Sequence, residues 1–378
     1  MHIPQRRRFA AALSLALAAA VAVPLVAHAA QGAEGLRSGM VFTSSNDAAG
    51  NALLVFARAP GGSLALQAQV PTGGLGSGAG LGSQGAVTLS RDGRFVFVVN
   101  AGSNSVSTFK LAGSELQLVS TVDSGGLHPI SVTEHDGRVV VLNDGGDGNV
   151  AGFRNEHGVL QPVAGSVRGL SVAGGATPGQ VGFSATGDAI VVTEKGTNRL
   201  TSYAVNSDGS LREPIVTASP GLTPYGFGFN SRNRLVVSEA QAGVAGASTL
   251  SSYRFMNKAP ALPVLMTASM PDTQTAACWV AISVDGRWAF TTNAGSSSVS
   301  SYRIAPDGQI TLAHAVAGMT GEGTSPSDVA ASADGRRLYV RNGRTYTIGA
   351  FHIQPDGSLV ALPSTAGLPT TAVGIAAN

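Results

Sequence analysis

The sequence has one cysteine, Cys278, in 378 residues. An internal disulfide is therefore excluded, and so is a cysteine-based metal cluster. Charge is also scarce. Charged residues make up 12% of the chain, about half of the usual ~25%. Tryptophan occurs twice and aromatics reach only 6%. No stretch carries the 3.6-residue apolar stripe of an amphipathic helix. There is no GxSxG, no HExxH and no His/Cys cluster at metal-ligand spacing. No metal and no cofactor is expected, and no nucleic-acid partner.

Glycine is abundant, with 50 residues, and it falls in a repeat. Each unit has a short apolar strand, a Ser-x-Asp-Gly-Arg turn, a second strand ending in Asn, a Ser/Gly/Asn loop and a third strand. The unit is cleanest in VTLSRDGRFVFVVNAGSNSVSTFKL (87–111) and AISVDGRWAFTTNAGSSSVSSYRI (281–304). VAASADGRRLYVRNGRTYTIGAFHI (329–353) is a weaker copy. Asp92-Gly93, Asp136-Gly137, Thr186-Gly187, Asp285-Gly286 and Asp334-Gly335 mark the same turn, and Asn230-Ser231-Arg232 replaces it once. Asp caps its own backbone there and Gly supplies φ > 0. A second turn, at Pro60-Gly61-Gly62, Asp208-Gly209, Asp307-Gly308 and Asp356-Gly357, reads as the hairpin between two outer strands. A spacing of about 44 to 55 residues fits a four-stranded blade.

These features predict an all-β fold, a seven-bladed β-propeller with four antiparallel strands per blade over residues 30–378. The segment 39–66 supplies three strands of a blade that lacks its first. The C-terminal TTAVGIAAN (370–378) reads as the missing innermost strand, and its addition closes the ring and removes the exposed edges. The Gly-rich PTGGLGSGAGLGSQG (71–85) is expected to be a long loop between the first two blades. No helix pattern follows it, as a phosphate-cradling loop would require.

Residues 1–29 read as a signal peptide. Arg6-Arg7-Arg8 is a basic start, residues 9–26 are apolar, and Ala27-His28-Ala29 is an A-x-A cleavage site. Arg-Arg-Arg-Phe also fits a twin-arginine signal, with the ordinary Sec route as the alternative. Removing this segment leaves 21 basic against 22 acidic residues, a formal charge of −1 in place of +2. A periplasmic or secreted monomer with no membrane span after processing is expected.

The repeat places candidate sites on one rim. There, the loops entering each innermost strand meet the Asn positions Asn100, Asn143, Asn293 and Asn342. Glu194 and Glu239 replace that Asn in two adjacent blades and are candidate general acid/base groups. The plainer reading makes them exposed loop acids, Glu194 beside Lys195. His128 precedes a rim proline. Gln180, Tyr225 and Trp279 enter the channel as candidate ligand contacts, and Trp279 suits stacking. Residues 143–149, NDGGDGN, are oxygen-rich but lack EF-hand spacing and a closing Glu, which favours a plain Gly/Asp loop. Cys278 is expected to be a buried thiol.

The pieces LHPISVTEHDGR and SYAVNSDGSL and the P-D-G-x-L/I hairpins resemble the lactonase-type seven-bladed propellers. That group includes propeller 6-phosphogluconolactonase and the carboxymuconate-lactonizing cyclase. The resemblance implies a rim cluster of His, Arg and Glu that binds an acidic substrate. Glu239 falls where the family has its rim glutamate. Where the family has Arg-His after an entry proline, this chain has Tyr225-Gly226. Where a family His would enter, it has Gly179-Gln180, and the family Asn-Arg becomes Asn293-Ala294. Arg341 is the substitute rim cation.

Three functions remain open. One is lactone hydrolysis or muconate-type lactonization using Glu239 or Glu194, with His128 as a further candidate. Another is non-catalytic binding of a small molecule or glycan in the channel, and the third is docking of an envelope protein on the rim. The altered cluster favours binding over the family's chemistry.

Overall fold

The computed structural model describes residues 1–2, 39–59, 61–112, 115–255 and 261–378. From residue 3 onward, the expected signal peptide lies outside the described residues, as does Pro60 of the first outer hairpin. Seven sheets of antiparallel strands follow one another around a ring. Among the described residues, helix is confined to two 3-10 turns, Ala101–Ser103 and Gln241–Gly243.

Blade one joins the two ends of the chain. Its order from the axis outward is Val373–Ala377, Met40–Ser44, Ala52–Arg58, Leu64–Pro71. The innermost strands of blades two to seven are Val87–Leu89, Pro129–His135, Pro178–Phe183, Pro224–Phe229, Ala277–Ile282 and Pro326–Ala331. Blade three also carries a short extra strand, Arg168–Gly169, paired to its third strand. Each innermost strand packs against those of both neighbouring blades, so the ring is continuous.

The C-terminal strand is innermost, as its pattern predicts. Val41 pairs with Ala377 and Phe42 with Ala376. Thr43 Oγ1 donates to the Gly374 carbonyl at 2.7 Å, and the Met40 N–H to Asn378 Oδ1 at 2.7 Å. Gly374 has φ +72°, and a Cβ there would lie 2.7 Å from the Val87 nitrogen. Glycine at this point lets blade two close on the closing strand.

The Ser-x-Asp-Gly-Arg signature is structural. Ser90 Oγ donates to Asp92 Oδ1 at 2.6 Å, and the Arg94 N–H to the same oxygen at 3.0 Å. Ser283, Asp285 and Arg287 repeat this, as do Ser332, Asp334 and Arg336. The apolar clusters lie between blades. Phe42, Leu53, Val96 and Phe109 join blades one and two. Val191, Leu200, Leu235 and Tyr253 join four and five. Strands buried on both faces leave little room for charge, which accounts for its scarcity in the sequence.

Candidate functional site

The starts of the innermost strands and the ends of the second strands meet on one rim. Pro178 pairs with Glu194, Pro224 with Glu239, Ala277 with Asn293 and Pro326 with Asn342. The side chains at the Asn position turn outward, across the third strand, rather than into the channel. Asn100 Nδ2 donates to Ser107 Oγ at 2.8 Å and Asn293 Nδ2 to Ser300 Oγ at 2.8 Å. Asn100 Oδ1 accepts from Thr72 Oγ1 at 2.7 Å, which ties blade one to blade two.

Glu194 and Glu239 occupy this outward position and are fully buried. The structure thus gives them a different setting from the exposed rim acids of the sequence reading. Glu194 accepts from the Ser171 N–H at 2.9 Å, Thr201 Oγ1 at 2.6 Å, Thr197 Oγ1 at 2.7 Å and Ser171 Oγ. Glu239 accepts from Ser219 Oγ, the Gly221 N–H, Thr249 Oγ1, Ser251 Oγ and Ser269 Oγ at 2.5 to 3.2 Å. A Cβ on Gly221 would lie 2.2 Å from Glu239 Oε2, so glycine is required at this contact. The two glutamates do the work of Asn with the polarity reversed: the carboxylate accepts and the surrounding hydroxyls donate.

The channel itself is filled by the Gly-rich loop. Residues 80–85 dip into it, with Gln84 at the bottom. Gln84 Nε2 donates to the Val280 carbonyl at 2.8 Å, and its Oε1 accepts from the Val280 N–H at 3.0 Å. The Gln84 N–H reaches Gly179 O at 3.0 Å, and Ser131 Oγ reaches Gln84 O at 2.6 Å. This plug ties together blades three, four and six. Gly226, where the family resemblance puts Arg-His, clears it: a Cβ there would lie 2.3 Å from Gln84 Oε1.

Above the plug, on the rim side, lies a cavity of about 520 Å³. Its walls include Tyr225, Trp279, Cys278, Arg341, Arg344 and Tyr346. Among the described residues, no carboxylate and no histidine lines it. The Tyr225 and Trp279 rings meet edge to face with centroids 4.5 Å apart. Arg341 is 9% exposed and its Nε has no hydrogen-bond partner. Burial lowers its pKa to about 10, partly offset by the Asp328 charge. It remains cationic at neutral pH.

Lys195 closes one edge. Its Nζ donates to Gly82 O at 2.6 Å and sits 4.5 Å from the Tyr225 ring centroid. Burial lowers its pKa to about 8, against the opposing charges of Asp144 and Cys278. Burial pushes the Cys278 thiol up to about 12, only partly offset by Lys195. It is an inert thiol.

The structure thus brings Tyr225, Trp279 and Arg341 together and leaves the other candidates apart. Gln180 lines a cavity of about 420 Å³ at the opposite mouth, with Phe183, Phe229 and His135. Its amide is taken up by the Phe227 N–H at 2.7 Å and Phe227 O at 3.1 Å. His128 sits in the rim loop of blade three with φ +54°, and its N–H donates to Asn104 Oδ1 at 2.8 Å. Among the described residues, no group of three or more His, Cys, Asp or Glu is placed to hold a metal.

Sequence reasoning missed Lys195, Arg344 and the plug. Adjacency suggests that Lys195 neutralises Glu194, but Glu194 is bonded to Ser171, Thr197 and Thr201 while Lys195 Nζ reaches Gly82 O. The Arg344 signal was its place two residues beyond Asn342, on a rim loop.

The sequence profile described as lactonase, seven-bladed β-propeller, matches residues 49–173 and 173–372. No curated protein matches the chain. Among solved structures, the chain is similar to a Bacteroides fragilis protein proposed to be a 6-phosphogluconolactonase. That match has 18% identity and a TM-score of 0.66, covering 90% of this chain and 98% of the other. It is similar to the Pseudomonas aeruginosa periplasmic gluconolactonase PpgL at 18% identity and TM-score 0.67, covering 89% and 98%. A functionally unknown protein from Desulfotomaculum acetoxidans matches at 13% and 0.69, covering 90% and 98%. With seven blades in the predicted order and the family profile running over most of its length, the chain belongs to the lactonase-type seven-bladed β-propeller family.

Proposed function

We propose that this propeller binds a small anionic ligand in the rim-side cavity and does not hydrolyse it. The observation that carries this reading is Arg341, a buried guanidinium whose Nε lacks a hydrogen-bond partner, in a cavity without carboxylates among the described residues. A cation so placed gains most from a bound carboxylate or phosphate. Arg344 adds a second positive charge and Lys195 a third at the edge. Tyr225 and Trp279 offer an aromatic wall to a sugar or other ring. The cavity volume suits a sugar acid.

Hydrolysis needs a base or nucleophile beside the ligand. Glu194 and Glu239 are locked within their blades, and the Cys278 thiol is held protonated. Export to the periplasm or medium is part of this proposal. It rests on the leader-like segment, and the resemblance to a protein named periplasmic is consistent with it.

The test is calorimetry with gluconate and 6-phosphogluconate, together with a lactone assay. Binding is expected, weakened at least tenfold by Arg341→Gln, with turnover of glucono-δ-lactone and 6-phosphogluconolactone at background. Robust turnover overturns the reading. Family membership and the lowered pKa of Lys195 favour the second reading, a lactone hydrolase with a shifted constellation. In that case Lys195→Met abolishes turnover.

A further inference from the structure

Asp328 lies on the innermost strand of blade seven, directly across from Arg341 in the strand register. It is 1% exposed. Its Oδ1 accepts the Val329 N–H at 2.7 Å, while its Oδ2 is buried without a hydrogen-bond partner. Arg341, its partner across the strands, also has its Nε unpaired and lines the ligand cavity. A carboxyl and a guanidinium are therefore buried on paired strands, within range of each other's charge, each with unmet hydrogen-bonding capacity, and only the guanidinium lines the cavity.

We propose that Asp328 is a positioning residue that couples anion capture at Arg341 to the uptake of a proton. The inference rests on the binding reading above. With Asp328 neutral, the Arg341 charge is available to an incoming anion. With Asp328 ionised, the two charges neutralise each other, and the ligand also meets a buried negative charge. Anion binding is thus favoured by the protonated carboxyl, and by linkage the bound anion holds the proton on.

The chemistry around Asp328 places the switch near neutrality. Burial pushes its pKa up to about 7, against the lowering effects of the Val329 N–H, the Arg341 charge and the backbone of Ile375 and Gly85. Few other groups bear on it. The closing strand Val373–Ala377 and the plug residues 80–85 carry no titratable side chain. The innermost strand of blade six, Ala277–Ile282, contributes only Cys278. Lys195, on the far edge of the cavity, loses its charge with a pKa of about 8, so it weakens anion binding at higher pH in the same direction.

The test has two independent readouts. Carboxyl ¹³C NMR of the whole protein should show one aspartate titrating far above the others. That signal should vanish in Asp328→Asn, which keeps the shape and the Val329 contact, and move upward in Arg341→Gln. If every aspartate titrates below about pH 5, the inference is overturned whatever the ligand does. Calorimetry with gluconate should show affinity falling about tenfold from pH 6 to pH 8, with net proton uptake near pH 7. In Asp328→Asn the fall should shrink below threefold and the proton uptake near pH 7 disappear, while Lys195→Met, though binding more weakly overall, keeps the proton uptake near pH 7 and the larger part of the fall. Gluconate binding with the same pH slope in Asp328→Asn overturns the coupling alone. Failure of gluconate and 6-phosphogluconate to bind at any pH, beside a normal Asp328 titration, overturns the binding reading and the ligand coupling with it.

Discussion

Glu239 and Asp328 are both buried carboxyls near the same rim, at 0% and 1% exposure, yet their surroundings differ. Glu239 receives five hydrogen bonds from Ser219, Gly221, Thr249, Ser251 and Ser269. Asp328 receives one well-formed bond, from Val329, with only weaker backbone influence from Ile375 and Gly85, and its second oxygen has no partner. A buried charge that is fully hydrogen-bonded is a structural element, because its donors offset the cost of leaving water. A buried acid left half-satisfied keeps its proton to higher pH and answers to whatever charge arrives beside it. Departure from the repeat and an unmet hydrogen bond thus single out different carboxyls. Glu239 departs from the Asn pattern and is a latch. Asp328, on the innermost strand of blade seven, is the carboxyl left with an unpaired oxygen.

The sharpest way to separate the two is the pH dependence of stability in Asp328→Asn. In an unfolded chain this carboxyl ionises near ~3.9, whereas in the fold it does so near 7. The folded state holds the proton longer, so this group's contribution is fully present below about pH 4 and is lost as pH rises toward 7. The loss is on the order of 4 kcal/mol. Asn never ionises. Urea denaturation should find the variant matching wild type at pH 4 and more stable at pH 8, and equal stability at pH 8 would remove the raised titration from the argument. The complementary break is Glu239→Ala. It strands five donors in a buried site and should lower stability by about 3 kcal/mol. A loss under about 1 kcal/mol would show that the latch is dispensable.

The parts of this molecule that repeat were legible in the sequence. The Asp92, Asp285 and Asp334 turns, the seven-fold count and the closing strand follow from local rules of turn chemistry and alternation, which each blade applies afresh. The rim positions of Tyr225, Trp279 and Arg341 were legible for the same reason, since each sits where the repeat enters the innermost strand or leaves the second. The plug was not legible. Residues 80–85 carry no periodicity, and their partners Val280 and Gly179 lie about one to two hundred residues away in the chain. The adjacency of Glu194 and Lys195 misleads, because the two side chains have separate partners. The rim position of Asp328 in TSPSD (324–328) was legible but its burial was not, because an acid beside Ser and Pro looks solvated until the closing strand and the plug cover it.

The smallest expected effect is the most discriminating. Glu239→Gln keeps the side-chain shape and one carbonyl oxygen but turns the other oxygen into an NH₂ donor. The hydroxyls of Thr249 and Ser269, which now donate to Oε2, can rotate and accept instead. Stability should therefore fall by only about 1 kcal/mol. Gluconate affinity should stay within twofold of wild type, because Glu239 points away from the cavity that Arg341 lines. Lactone turnover should be unchanged at background. If wild type instead turns over sugar lactones and Glu239→Gln lowers that rate tenfold or more, about 1.4 kcal/mol of transition-state stabilisation, then Glu239 is a base and the contrast with Asp328 is reversed. The latch would then open to substrate, and the binding reading would give way to hydrolysis.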